Sequence, residues 1–109
     1  MQIQINTDHN VEGHAPLIKH VHDLVEHALS RYSKHMTRLE VHLADENADK
    51  GGGLDKRCMI EARFKSWQPI AATDHATELD TAIHGAVRKL IRLIETTLGR
   101  AAGSREKQR

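Results

Sequence analysis

Three basic side chains lie close together in the last third of this sequence. Arg88 and Arg92 are one turn apart on a predicted helix, and Lys89 lies beside them. Residues 81–109 hold seven Lys and Arg residues but only two carboxylates, although the net charge of the whole chain is +1. This asymmetry indicates a contact with a polyanion at one face or end of the protein. A solvated helix face followed by a basic tail would produce the same charge pattern.

Nine histidines raise the question of a metal site, but their spacing does not favour one. His20 and His22 are two residues apart on a predicted helix and therefore lie on different faces, and His20 and His27 are two turns apart. The lone cysteine, Cys58, is expected to point into the core. We interpret the histidines as scattered surface residues and expect no metal and no other cofactor. A histidine-based metal or pH sensor is the alternative.

No set of residues typical of catalysis is visible. There is no G-x-S-x-G motif, and the carboxylates fall on faces that are predicted to be exposed. Three glycines at 51–53 lack the Lys-Ser/Thr ending of a phosphate-binding loop. A small core covered by helices leaves no buried pocket, so we expect a protein that is not an enzyme and has no small-molecule substrate.

Trp67 lies in a predicted hairpin turn close to Arg63 and Lys65. An exposed tryptophan beside basic residues can stack on a nucleobase or on a protein partner. It can also fold back over the edge of the sheet. Arg63 and Lys65 are therefore a second set of candidate RNA contacts.

The composition is that of one globular domain. The chain has 109 residues, of which 39% are hydrophobic and 28% are charged, which allows a single small core. One cysteine excludes an internal disulfide and suits a reducing compartment. The N-terminus has neither the basic start nor the apolar run of a signal peptide, and no segment is long and apolar enough to cross a membrane. We expect a cytoplasmic protein without membrane contact.

The secondary structure that positions the basic residues follows from hydrophobic periodicity. Alternation of apolar and polar residues predicts strands at 1–7, 37–46, 57–65 and 69–73. Apolar residues at three- and four-residue spacing predict helices at about 16–34 and at 77–98. Asp74 or Thr77 is expected to cap the second helix, and Gly99 is expected to end it. Residues 47–55 are predicted to form a flexible connection, 1–99 one domain, and 100–109 a flexible basic tail.

The element order β-α-β-β-β-α predicts an α+β fold. Each strand has one apolar face and each helix one apolar stripe, which favours a four-stranded mixed sheet with two helices packed on one face. The first helix joins strands 1 and 2 as a crossover, so these strands should be parallel, and strands 2, 3 and 4 should form a meander. The predicted core contains Leu24, Leu43, Ile60, Ile83, Val87 and Leu90. Such a sheet, with basic residues on the last helix, is a common shape for binding RNA through its backbone.

Three segments also resemble a known family. They are MQIQINTDHNVEG, KRCMIEARFKSWQPIAATD and LDTAIHGAVRKLIRLIETTL. The family is that of the short ribosome hibernation promoting factors and the ribosome-associated inhibitor A proteins, also called ribosomal subunit interface proteins. The resemblance covers about residues 1–98, and its most specific part is Ala82-Ile83 followed by Lys89-Leu90 and Arg92.

This resemblance implies a non-enzymatic, bacterial stress-response factor that inhibits translation. Such proteins bind ribosomal RNA of the small ribosomal subunit between its head and body and block the channel for messenger and transfer RNA. The basic helix residues that contact RNA in the family correspond here to Arg88, Lys89, Arg92 and Arg100. Members often have an aromatic residue in place of Asp80. Because the chain ends at Arg109, we expect it to lack the C-terminal dimerising domain of the long members.

A protein-interaction module is the alternative from another functional class. In that case the basic helix or the polar face of the sheet would dock an acidic protein partner, and ribosome contact would be incidental.

Overall fold

The computed structural model describes residues 1–46 and 55–107 and describes side chains as far as residue 99. The elements are β1 (Gln2–Thr7), α1 (Ala15–Leu29), a 3-10 turn (Ser30–Tyr32), β2 (Met36–Asp45), β3 (Lys56–Phe64), β4 (Ile70–Ala76) and α2 (Leu79–Lys107). This order confirms the predicted β-α-β-β-β-α fold. The predicted connection at 47–55 lies, apart from Asp55, outside the described residues.

The four strands form one mixed sheet in the order β1-β2-β3-β4. β1 and β2 are parallel, with Ile5 opposite Val41. β3 is antiparallel to both of its neighbours, and Ile60 lies opposite Val41 on one side and Ala72 on the other. Parallel neighbours need a crossover connection, and α1 supplies it. The predicted pairing is therefore confirmed.

The core lies between one face of the sheet and both helices. Alternate residues of the central strands are buried on that face, and the same hydrophobic cluster contains Val21, Val25 and Leu29 of α1. Five of the six predicted core residues are buried, namely Leu43, Ile60, Ile83, Val87 and Leu90. Leu24 is only partly buried, because Val21 and Val25 point from α1 to the sheet and Leu24 lies to the side of them. Neither of the described helices is long and apolar enough to span a membrane.

α1 begins as the sequence predicts, with Pro16 in its first turn. The backbone N–H of Leu17 donates a hydrogen bond to Nδ1 of His14 at 3.1 Å, so the histidine caps the helix. The helix ends at Leu29, and a separate 3-10 turn covers Ser30–Tyr32. The predicted helix at 16–34 was therefore too long.

The predicted ends of α2 were wrong. β4 continues through Asp74 to Ala76, so Asp74 is a strand residue and α2 begins at Leu79. The helical backbone also passes through Gly99 to Lys107. A glycine inside a helix costs about 1 kcal/mol relative to alanine, which does not end a helix when its neighbours favour it. The flexibility of residues 100–109 stays a prediction.

Gly85 marks a close approach of α2 to β4. A Cβ atom at this position would overlap the Asp74 carboxylate and would lie 2.6 Å from its Cγ. Gly85 is itself buried within a helix that packs mainly on β3 and β4. Only a residue without a side chain therefore allows α2 to lie this close to β4.

We expect Gly85→Ala to lower the free energy of unfolding by about 1–3 kcal/mol, because the added methyl group forces the helix or Asp74 to move. Gly99→Ala is the matched control, since nothing lies within 4 Å of the position where its Cβ would be. That variant should be stabilised by up to about 1 kcal/mol through helix propensity alone. Urea unfolding followed by circular dichroism measures both values. Equal stability of Gly85→Ala and the unchanged protein would contradict this account of the packing.

Candidate nucleic-acid interface

The exposed side of α2 carries two arginines that are free to bind a ligand. Thr81, His84, Arg88 and Arg92 are all exposed on this side, and we call them the α2 crest. Leu90 and Ile94, on the opposite side, are fully buried, so the core fixes the direction in which the crest faces. Within the described residues, neither Arg88 nor Arg92 forms an ion pair. Their guanidinium groups are therefore available to contact phosphates.

Lys89 differs from Arg88 and Arg92 because its charge is already paired within the fold. Its Nζ donates a hydrogen bond to Oδ1 of Asp74 at 2.8 Å and another to the carbonyl oxygen of Thr73 at 3.1 Å. The hydrogen bond from Lys89 to the Asp74 carboxylate lowers the pKa of Asp74 below its ordinary value. The Lys89 side chain is 51% exposed, so it still reaches solvent at the edge of α2.

Cys58 on β3 lies opposite Asp74 on β4. It is fully buried, as the sequence predicts. Burial raises the pKa of its thiol to about 12, and the charge of Asp74 acts in the same direction. The thiol is therefore protonated at neutral pH, and a protonated, buried thiol is a poor nucleophile.

Two histidines meet one carboxylate where α1 and α2 lie side by side. Nε2 of His20 is 2.8 Å from Oδ1 of Asp80, and Nε2 of His84 is 3.4 Å from Oδ2 of the same residue. Periodicity within one helix does not reveal this cluster, because His20 and Asp80 are 60 residues apart in the chain. In the described part of the chain, no group of three or more His, Cys, Asp or Glu side chains is arranged to hold a metal ion.

Arg63 is separated from the α2 crest by the sheet. It alternates with buried Ala62 and Phe64, so it lies on the face that the helices do not cover. Its Nε is 2.9 Å from Oε1 of Glu61 and 3.6 Å from Oε2 of Glu40. Nearby carboxylates therefore already balance the charge of Arg63.

Trp67 folds back over the end of the sheet, which was one of the two arrangements the sequence allowed. Its ring is tilted against Phe64, with 5.2 Å between centroids, and stacks on His35 at 5.9 Å. Lys65 is exposed beside it and lines an open pocket of about 220 Å³. Lys65 and the α2 crest thus belong to different surfaces. The side chain of Arg100 is outside the described side chains, so its role stays a prediction.

A family model matches most of the chain. The model described as sigma 54 modulation protein / S30EA ribosomal protein matches residues 3–101. A comparison with curated protein sequences finds no match.

Two solved structures have a similar fold. The N-terminal domain of Protein Y from Thermus thermophilus is 18% identical, with a TM-score of 0.70; the match covers 89% of this chain and 99% of that one. A ribosomal subunit interface protein from Coxiella burnetii is 16% identical, with a TM-score of 0.64; the match covers 94% of this chain and 99% of that one. At these identities the two structures support the fold alone.

The ion pair between Asp74 and Lys89 predicts a loss of stability in acid. The pKa of Asp74 is lowered from its ordinary value of 3.8 in the folded state, so its contribution is present above that value and is lost as the pH falls through the folded pKa. We expect Asp74→Asn to be less stable than the unchanged protein at pH 7 by about 0.5–1 kcal/mol. The difference should shrink below about pH 4.

Urea unfolding at a series of pH values measures this difference. Asp23→Asn is the control, because Asp23 pairs with Lys19 on an exposed face of α1. Its effect on stability should be smaller, since solvent screens that pair. A difference for Asp74→Asn that stays constant from pH 7 to pH 3 would contradict the assignment.

Proposed function

This chain belongs to the family described as sigma 54 modulation protein / S30EA ribosomal protein, and from that membership we propose that it binds the ribosome and inhibits translation without catalysis. The observation that carries the proposal is the pair of unpaired arginines on the α2 crest of a chain from a ribosomal protein family. The protein acts in the cytoplasm, and it needs neither a cofactor nor a small-molecule substrate.

On the ribosome, the protein binds ribosomal RNA of the small subunit, in the channel that messenger and transfer RNA use. Ribosomal RNA offers phosphates at close spacing, and Arg88 and Arg92 lie one turn apart on a rigid helix. The core and the approach at Gly85 fix that helix on the sheet, so the backbone that carries the arginines is already ordered before they meet phosphates. A folded domain held in this channel excludes the other RNA molecules by occupying their space.

The remaining candidate residues contribute unequally. Lys89 adds positive charge beside the crest but keeps its bond to Asp74. Arg100 follows Arg92 in the sequence and adds a further positive charge towards the C-terminus. Lys65 lies at the end of the sheet and provides a second contact. Arg63 adds little, because Glu61 and Glu40 balance its charge.

We expect the purified protein to inhibit a cell-free translation system in proportion to the number of ribosomes. Each molecule of an occluding protein blocks one ribosome. When binding is tight, half inhibition should therefore require about half as many protein molecules as ribosomes. Dilution, or excess messenger RNA and initiation factors, should restore translation. Inactivation of many ribosomes by one molecule would instead indicate an enzyme.

The location of the binding energy can be tested through its dependence on salt. Each phosphate contact contributes roughly 0.7–0.9 units to the slope of log affinity against log salt concentration. We therefore expect Arg88→Ala/Arg92→Ala to weaken binding to small subunits and to flatten this slope by about one to two units. The fold should survive, because alanine favours helices and both side chains are exposed. Sedimentation with purified small subunits at several salt concentrations measures both quantities.

Lys19→Ala/Arg57→Ala is the matched control. It removes the same charge from α1 and from β3, at residues that are not part of the crest. It should leave the slope nearly unchanged. If the Arg88→Ala/Arg92→Ala variant folds and keeps its affinity and slope, the α2 crest does not contact the RNA. Sedimentation that survives digestion of the RNA would favour docking to an acidic protein.

A further inference from the structure

One end of the sheet contains an open pocket that the α2 crest does not share. We call it the hairpin pocket; its volume is about 220 Å³ and it is lined by Lys34, His35, Phe64, Lys65, Ser66 and Trp67. Its two walls come from the segment before β2 and the turn after β3. The backbone N–H of Lys65 donates a hydrogen bond to the carbonyl oxygen of His35 at 3.3 Å, which ties the two walls together.

The aromatic side of this pocket is held in place by the core. Phe64 is only 9% exposed and belongs to the main hydrophobic cluster. Trp67 packs against it at 5.2 Å and against His35 at 5.9 Å, yet Trp67 stays partly exposed. A planar ligand would stack on the part of the Trp67 ring that Phe64 and His35 leave exposed. Because the ring is already ordered, the entropic cost of binding is reduced.

The charge at the rim is positive and unbalanced. Lys34 and Lys65 are both exposed, and within the described residues neither of them forms an ion pair. No carboxylate is among the residues that line the pocket, and Ser66 adds a hydroxyl group. The pocket thus combines a fixed aromatic surface with two free ammonium groups.

This combination matches one kind of ligand. A nucleotide carries a planar base and a phosphate within one small unit, and a base that is not paired exposes the face that stacking requires. Stacking tolerates any base, because every base has such a face. A phosphate alone would satisfy the lysines but would leave Trp67 unused, and an acidic peptide would lack the planar group.

We propose that the hairpin pocket binds one unpaired nucleotide, with its base against Trp67 and its phosphate between Lys34 and Lys65. The nucleotide belongs to a single-stranded RNA or is a free mononucleotide. The site goes beyond the phosphate contacts of the α2 crest. It lies towards the end of the molecule to which α2 runs, because the Tyr32 hydroxyl, just before the pocket, donates a hydrogen bond to Oε2 of Glu95 at 2.9 Å.

Trp67 is the only tryptophan, so its fluorescence reports binding directly. The full chain is titrated with hexauridylate RNA, with adenosine monophosphate, with inorganic phosphate and with hexaglutamate. We expect saturable quenching by the RNA or by the mononucleotide, and the tighter of the two identifies the source of the nucleotide. Inorganic phosphate should not quench. Equal binding of inorganic phosphate or of hexaglutamate, or the absence of saturable quenching by both nucleotide probes, would overturn the proposal.

Variants separate the two parts of the site. Lys34→Ala/Lys65→Ala should weaken binding of the better nucleotide probe by about tenfold or more at low salt. Lys19→Ala/Arg57→Ala removes the same charge elsewhere and should leave the affinity within about twofold. Unchanged affinity of the Lys34→Ala/Lys65→Ala variant would overturn the proposal.

The role of Trp67 itself is tested with a fluorescein-labelled hexauridylate, whose anisotropy does not depend on tryptophan. Trp67→Phe should retain most of the affinity, whereas Trp67→Leu should lose about 5- to 150-fold, the range expected for one stacked base. Circular dichroism confirms that both variants fold. Equal affinity of the two variants would show that no base stacks there. Neither assay contains ribosomes, so a negative result here leaves the role of the α2 crest intact.

Discussion

The contact between α2 and β4 at Gly85 is the constraint on which the position of the basic residues depends. Asp74 points from the edge strand towards the helix, and the missing side chain of Gly85 leaves room for its carboxylate. Lys89, one turn later, then compensates that charge at 2.8 Å. A carboxylate at the edge of a core is tolerated only when it is solvated or paired, and here it is paired. Because one side of α2 is held in this way, Arg88 and Arg92 must face outward.

The structure divides the basic residues into those that hold the fold and those that stay available. Lys56 contacts Asp45 and Asp55, and Arg63 contacts Glu61, so their charges are balanced within the protein. Arg88 and Arg92 on α2 stay unpaired in the described part of the chain, as do Lys34 and Lys65 at the hairpin pocket. Charge counts from a sequence give both groups the same weight. The available charges lie on one helix and at one end of the sheet, and these surfaces are where a polyanion would gain most from binding.

The sequence was sufficient for the fold because the local patterns are strong. Alternation in the strands and the wide apolar stripe of α2 predict the element order, the sheet pairing and most of the core. Contacts between residues that are far apart in the chain leave no such periodic pattern in the sequence. The pairing of Lys89 with Asp74 was missed because Asp74 was assigned to a helix cap, and the meeting of His20 with Asp80 joins two separate helices. The prediction that α2 ends at Gly99 was wrong, because the small energetic cost of a glycine inside a helix does not stop the helix there.

The bond from Lys89 to the backbone of β4 has a consequence for the behaviour of the free protein. β4 is the last strand of the described sheet, and the edge of a sheet offers unpaired carbonyl and N–H groups to any passing strand. The Lys89 ammonium covers the carbonyl oxygen of Thr73 at 3.1 Å and places a solvated charge beside it. A second molecule that added its own strand along β4 would have to displace this group and desolvate its charge. The same lysine that balances Asp74 thereby disfavours edge-to-edge pairing along β4.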